Sequence, residues 1–468
     1  MKRAIVTGFL VIALAGSAFS QAKPGGVARM VSMGGALYGT NTVLNPYVYK
    51  DPAWILVNPA YQSMYRDYVW LNVAGGGVTG ANGAENTASS QFGGLNVGMG
   101  KTFTLGVLLN YDPSYANAIG GTGGMLTNFV NIARPGRVNP VIVAQPAGAP
   151  PPVASLEALA TFQLDEMHLG LGVQYGWTSK DAEGTTATTS TTGEIGTSVI
   201  GVRAGMVWDI GSGNSFDANA AFRLANASDS YTVSGTAPAT GTSEYTASST
   251  DISVNLRGRF RLSNRVGIVP VGAFRTISSE PKEESILSNQ TASTYSLTRS
   301  NLLILAGVGA EYTTRVFYLA GGLAFATTSM KDEETNRNGA NTGSITTTTG
   351  STSFPIINIG GEWHFTDWMD GRLGYYRSLG SDSRKVEVSQ NQSTVEGTLF
   401  NPSSIVGISG YGPVPDNSLV TLGVGIHFDG FALDATVSEE ALRRGLGLLG
   451  SGDSINTFGY ITLSYSFE

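Results

Sequence analysis

The dominant pattern along this chain is a two-residue alternation of apolar and polar positions, repeated in segment after segment from residue 67 onward. In Met167 to Thr178, residues Leu169, Leu171, Val173, Tyr175 and Trp177 fall on one face, and His168, Gly170, Gly172, Gln174 and Gly176 on the other. Leu419 to Phe428 repeats it, with Val420, Leu422, Val424, Ile426 and Phe428 opposing Thr421, Gly423, Gly425 and His427. Successive side chains of a strand point to opposite faces, so each stretch reads as a strand with one greasy and one wet side. Scored this way, the chain divides into about sixteen strands of roughly ten to eighteen residues, the signature of an all-β transmembrane antiparallel β-barrel. The last segment, from Ser454 to the penultimate Phe467, alternates in the same way and reads as the closing strand.

The stretch Asn255 to Leu262 sets the orientation. Asn255, Arg257, Arg259 and Arg261 share one face, Leu256, Gly258, Phe260 and Leu262 the other. An arginine turned into lipid costs about 2–4 kcal/mol near the bilayer midplane, so three on one strand would cost as much as a whole domain's stability. The three arginines therefore belong in the lumen. Their expected partners are acids at inward parity on other strands, Asp209, Asp217, Glu311, Glu362 and Asp370, which makes the inner wall charged and salt-bridged.

Connections alternate in length. Short turns fall at Gly100-Lys101, Asp165-Glu166, Gly211-Ser212, Ser263-Asn264, Thr314-Arg315, Thr366-Asp367 and Asp429-Gly430, and between them lie segments rich in Thr, Ser, Gly and Asn, such as Ser179 to Glu194 and Met330 to Gly350, which read as outer loops. Eight hairpins with both ends periplasmic are implied. Trp177 then falls near the outer interface and Trp208 near the inner one, where amphipathic rings belong. Two loops exceed the rest, Asp112 to Val153 and Leu379 to Asp416. The first carries Met125, Leu126, Phe129, Val130 and Ala133 at helical spacing, and the second Leu399, Phe400, Ile405, Val406, Ile408 and Tyr411. Apolar residues in outer loops have no core of their own: they pack on each other as a cap, or they form a groove for a hydrophobic small-molecule ligand.

Composition agrees with a bilayer as solvent. Hydrophobic residues make up 41% and charged residues only 13%, against about a quarter charged in an ordinary soluble domain. Residues 1–20 have the form of an export signal, with Lys2 and Arg3, the apolar stretch Ala4 to Ala15, and small residues at Ala18 and Ser20. Past it no apolar run approaches the roughly 18 residues of a spanning helix. The absence of cysteine rules out a disulfide scaffold and a thiolate metal site. A net charge of −7 argues against a nucleic-acid partner.

Residues 21–66 do not alternate. Their aromatics Tyr47, Tyr49, Trp54, Tyr61 and Tyr65 require burial, and the nearest volume is the lumen of a barrel spanning 67–468, so the segment reads as an N-terminal hatch or plug, with a periplasmic cap or an extra strand as the alternatives. Met33-Gly34-Gly35-Ala36, then Asp51 before a turn, then Asn58-Pro59-Ala60 directly before the first strand, resemble the FadL-like outer-membrane transporters, a family that includes aromatic-hydrocarbon channels and barrel proteins of type IX secretion. The resemblance implies a hatch inside a barrel usually of fourteen strands, with Asn58, Pro59 and Ala60 in the part that shifts to let ligand pass. It also implies a barrel-assembly machinery that reads the last strand. The chain departs from that pattern in a longer interval between Ala36 and Asn58, in two more strands, and in ending on Glu468 after Phe467.

Catalytic chemistry finds little footing. His168, His364 and His427 read as standing alone on separate strands, with no partner at metal-ligand spacing. Gly445 to Gly450 fits GxGxxG literally but follows a short helical-looking stretch, not a strand, and fails the context of a phosphate loop. Paired acids, Glu283-Glu284 and Asp332-Glu333-Glu334, suit solvated charge or divalent-ion contact with lipopolysaccharide. No enzyme activity, cofactor or metal is expected. The sequence leads to an outer-membrane channel for passive uptake of small hydrophobic molecules, of the fatty-acid or hydrocarbon type that the resemblance implies. A structural or docking barrel whose loops bind a protein partner, as the secretion-linked relatives are, is the second reading, and a general porin the third.

Overall fold

A computed structural model describes residues 25–35, 44–74, 90–110, 154–185, 189–235, 240–287, 293–338, 341–388, 393–399, 417–437 and 458–467. Seventeen strands occur among them: β1 (Tyr68–Ala74), β2 (Ser90–Met99), β3 (Phe103–Asn110), β4 (Ala154–Leu164), β5 (Met167–Thr185), β6 (Thr189–Gly211), β7 (Asn214–Gly235), β8 (Gly241–Arg261), β9 (Val266–Leu287), β10 (Ser293–Thr313), β11 (Phe317–Asn338), β12 (Asn341–Thr366), β13 (Met369–Val388), β14 (Ser393–Leu399), β15 (Asn417–Phe428), β16 (Phe431–Val437) and β17 (Phe458–Ser466). Each pairs antiparallel with its sequence neighbour, and β1 closes on β17 with Tyr68 opposite Ser466. β13 bonds β15 along its inner half, Met369 to Ser378, and β14 along its outer half, Asp382 to Val388. The closed ring therefore has sixteen strands, with β14 an extra ribbon above it.

Parity behaves as the alternation requires. Leu171, Val173, Tyr175 and Trp177 are each more than half exposed on the outside of β5, whereas His168 and Gln174 are buried on the inside. The outer surface carries an apolar belt in which Trp363 stacks on Phe365 and Trp368 on Phe428 near the short-turn end, the place of an interfacial aromatic girdle. No helix among the described residues is long and apolar enough to cross a membrane. The seven short turns lie where the sequence puts them, and three use Asp165, Ser212 and Asp429 at positive φ, where short polar side chains tolerate the left-handed conformation.

One expectation fails. Ser179 to Glu194 and Met330 to Gly350 are not loops: β5 runs to Thr185, β6 begins at Thr189, β11 reaches Asn338 and β12 begins at Asn341. Strands β5 to β13 have 19 to 26 residues, longer than the ten to eighteen read from the sequence and about twice what crosses a bilayer. The reason is solvent. Beyond the membrane both faces of a strand meet water, so apolar alternation vanishes while β-branched threonine keeps its preference for extended backbone. The long second loop is likewise partly strand, since β13 continues to Val388 and β14 follows. By contrast β1 to β4 and β14 to β17 have 7 to 12 residues, so among the described residues one side of the ring is tall and the other low.

The residues before β1 form helix α1 (Val27–Ser32) and two 3₁₀ turns, η1 (Pro52–Leu56) and η2 (Pro59–Met64). Both turns start the same way. Asp51 and Asn58 each accept a hydrogen bond from the backbone N–H two residues on, at 2.8 and 3.0 Å, and a proline follows whose fixed φ suits the first helical position. Val27, Met30, Tyr47, Ile55 and Tyr61 are fully buried and share one core with Trp70, Leu159, Val207, Val269, Ala320 and Tyr460 from the inner faces of strands around the ring.

Candidate functional site: the inner wall and the N-terminal block

Three latches tie the block to the wall. In the first, Arg29 of α1 forks onto Glu362 of β12, Nε to Oε2 at 2.7 Å and Nη2 to Oε1 at 3.0 Å, and its Nη1 reaches Asp51 Oδ2 at 2.8 Å. Glu362 also accepts from Arg372 Nε at 2.6 Å. Arg372 Nη1 in turn lies 2.6 Å from Asp434, whose other oxygen accepts from the Gly25 N–H at 3.1 Å. Asp51 Oδ1 accepts from the N–H groups of Gly26 and Ala53, both at 2.8 Å. Burial pushes the Asp51 carboxyl up to about 6, against the pull of Arg29 and of these donors.

The second latch is Arg257 of β8. Its Nε lies 2.8 Å from Asp217 of β7, its Nη2 donates to the Tyr61 hydroxyl at 2.6 Å, and its Nη1 donates to Val48 O at 3.3 Å. The guanidinium sits 3.6 Å from the Trp54 ring centre and 4.7 Å from that of Tyr49, so one cation organises three aromatics of the block. Below it Arg259 pairs with Glu311.

The third latch holds Asn58, Pro59 and Ala60. Asn58 Nδ2 donates to the carbonyls of Met206 at 3.2 Å and Ala218 at 3.3 Å, and Pro59 O accepts from Thr161 Oγ1 at 3.1 Å. Ser63 Oγ meets His168 Nδ1 at 2.7 Å while it donates to Ala60 O at 3.0 Å. The wall approaches so closely that a Cβ at position 205 would lie 2.8 Å from Asn58 Cγ, and one at 360 would lie 2.7 Å from Met33 Cα. Glycine at these inward positions makes room for the block.

Of the charges expected in the lumen, Arg257, Glu311 and Glu362 are buried and paired, Arg259 is partly exposed and paired, and Arg261 is different. It shares their parity but lies exposed at the turn, where its Nη2 donates to Asn264 O at 3.4 Å. Asp209 is exposed at the same rim, and Asp217 and Asp370 are buried. Strand ends leave the membrane, so parity there no longer decides burial. Leu399 is the last residue of β14, opposite Asp382; Leu126, Phe129, Val130 and Phe400 lie outside the described residues, as do residues 1–24 and Gly445 to Gly450. The histidines do not stand alone. His364 Nδ1 is 2.6 Å and His427 Nδ1 3.6 Å from Asp370, and donor atoms of Glu362, His364 and Asp370 come within 4.8 Å of one another. Glu362 is already held there by Arg29 and Arg372.

Sequence reasoning missed Arg29, Arg203, Arg223, Asp251, Arg275, Arg372 and Asp434, all buried in the lumen. Those on strands carry the same signal that located Arg257, a charge at inward parity. Arg29 lies in the non-alternating block and carries no parity.

Fold and site together define a closed sixteen-stranded barrel of outer-membrane type whose inner end is filled by its own N-terminal residues. No protein-family model and no curated protein matches the sequence. Among solved structures, the chain is similar to the toluene transporter TodX of Pseudomonas putida at 10% identity and a TM-score of 0.37, covering 95% of this chain and 97% of that one. It is similar to a FadL homologue of Pseudomonas aeruginosa at 11% identity and a TM-score of 0.40, covering 96% and 100%. The siderophore receptor PiuA of Acinetobacter baumannii follows at 9% identity and a TM-score of 0.30, covering 79% and 71%.

Proposed function

We propose that the protein is a passive outer-membrane channel for small hydrophobic molecules, and that the N-terminal block is the hatch its cargo must pass. The observation that carries this reading is the packing of Tyr47, Ile55, Tyr61 and Val27 against the inner wall at the short-turn end, where a general porin would keep an aqueous bore. Further support comes from an apolar patch on the same wall: Leu305, Ala324, Ala326, Ile356 and Tyr376 are buried together, with Val271 and Ala273 beside them. Apolar cargo that leaves water for such a surface gains about 25 cal/mol per Å². No energy source is needed, because the gradient drives the flux.

The test is retention and conductance. The purified barrel should keep a hydrophobic detergent or probe through extensive exchange and should show no steady ohmic current in planar bilayers. A large, constant conductance with no retained hydrophobe would sink the reading. The second reading, a docking barrel for a protein, draws on the tall strands β5 to β13, which are about twice the length that crosses a bilayer. Deleting residues 112–153 separates the two: loss of a protein partner with unchanged hydrophobe uptake favours docking.

A further inference from the structure

Two of the chain's three histidines meet at one carboxylate on the inner wall, at the short-turn end. Asp370 of β13 stands directly opposite His364 of β12 and, on its other side, opposite Gly425 of β15; His427 lies two residues beyond that glycine on the same face. His364 Nδ1 approaches Asp370 Oδ1 to 2.6 Å and His427 Nδ1 approaches Oδ2 to 3.6 Å, so both imidazoles turn the same nitrogen toward the same acid. Gly425 also pairs with Asp434 of β16, whose Oδ1 lies 3.9 Å from His427 Nε2. His427 thus sits between two buried acids and bonds neither. Separations of 3.6 and 3.9 Å exceed hydrogen-bonding distance, and its Nε2 is buried without a hydrogen-bond partner.

The surrounding charge does not close. Asp51, Glu362, Asp370 and Asp434 are all buried and are joined through Arg29 and Arg372, so among the described residues four carboxylates meet two guanidiniums. Two negative charges are left over, and buried charge without compensation is costly. Arg29 and Arg372 hold Glu362 on both its oxygens, which leaves the deficit at the Asp370 and Asp434 end, where the imidazoles stand. Protonating both rings would supply the charge, but His427 has no acid within hydrogen-bonding distance to receive its protons. A divalent ion supplies it at one point. Zinc bonds imidazole and carboxylate at about 2.0–2.2 Å, so two ligands of a tetrahedral site stand about 3.3 Å apart, near the 3.6 Å between His427 and Asp370. We propose that His364, Asp370 and His427 form a site for a divalent transition-metal ion of the zinc class, with Asp434 as the acid that orients His427. Imidazole nitrogen selects such ions over magnesium and calcium, and a ligating histidine offers its second ring nitrogen to a carboxylate. The His364 side chain is 39% exposed, which gives the ion a path in and leaves its fourth position to water. The ion ties β12, β13 and β15 together beside the first latch, whatever the lumen carries.

The experiment uses the untagged full-length protein, stripped with a chelator in neutral detergent and titrated calorimetrically with Zn²⁺ and with Mg²⁺. Wild type should take up one Zn²⁺ saturably and bind Mg²⁺ at least about tenfold more weakly. His364→Ala and His427→Gln should each lose about tenfold or more in Zn²⁺ affinity. If the more buried His427→Gln fails to fold, the exposed His364→Ala carries the test. Co²⁺ then reads the ligands in wild type directly: the intense visible absorption of a four-coordinate site should appear on titration, vanish on adding Zn²⁺, and be absent in His364→Ala. No saturable Zn²⁺ binding, equal affinity for Zn²⁺ and Mg²⁺, or unchanged Zn²⁺ affinity in His364→Ala overturns the site and returns the charge deficit to imidazole protons. Uptake is scored separately, since metal binding without uptake contradicts only the channel, and uptake without metal binding contradicts only the site.

Discussion

The guanidinium of Arg257 lies 3.6 Å from the centre of the Trp54 ring, and this contact joins strand β8 to the first 3₁₀ turn of the N-terminal block. The same group is paired with Asp217 and bonded to Tyr61. Removing one partner of a buried ion pair strands the other. Arg257→Ala should therefore destabilise the docked block by about 3–5 kcal/mol, seen as faster proteolysis within residues 44–67 while the barrel keeps its heat-modifiable mobility on gels. Adding Asp217→Ala should cost much less than a second independent loss, because the partners share one interaction. Two additive losses would show that the pair does not hold the block.

Glycines at positions 205 and 360 face the block, not lipid. A side chain there meets Asn58 or the Met33 backbone, and the barrel exterior does not change. Gly205→Val and Gly360→Val should each expel part of the block at a cost of about 1–3 kcal/mol or more. Thiol-accessibility probes placed in residues 44–67 would report the release. Unchanged protection in both variants would contradict the close approach.

Asp51 gives the docked block a pH dependence. Burial raises its carboxyl to about 6 when docked, from the ordinary value of 3.8 when released. A group whose pKa is raised on docking takes up a proton as it docks, so its contribution is fully present below the released pKa and is lost as pH rises through the docked one. Docking should thus weaken from about pH 4 to pH 6, and Asp51→Asn should flatten that slope. Protease protection measured across this range decides it; an identical slope in the variant would assign the titration elsewhere.

Two outward positions separate membrane from water. Leu171→Arg, in the apolar belt, should cost about 2–4 kcal/mol in barrel stability, whereas Thr246→Arg, on the exposed side of β8 far from its inner turn, should cost well under about 1 kcal/mol. Refolding into lipid vesicles against denaturant measures both. Equal losses would place the outer halves of the tall strands inside the bilayer.

The alternation at Met167 to Thr178 and the arginines beside Phe260 made the barrel, its sixteen strands and its inner charges legible, because lipid on one side and a packed lumen on the other impose a period of two. The same rule was blind where both faces meet water: Thr346 to Thr349 look like loop and are strand. It was also blind inside the block. There Asp51-Pro52 and Asn58-Pro59 mark the turns, but which strand each turn meets depends on long-range pairing, such as Arg29 with Glu362, that no local pattern encodes.

The most direct test of the channel is to lock its hatch. The chain has no cysteine, so Asn58→Cys with Gly205→Cys would add the only pair. Asn58 Cγ lies 2.8 Å from where a Cβ at position 205 would sit, which puts the two Cβ atoms near the roughly 3.5–4.5 Å that a disulfide spans. Uptake of a radiolabelled hydrophobe by cells or vesicles carrying the oxidised pair should fall to background and return on reduction. Undiminished uptake through the fully oxidised protein would contradict passage by way of the block.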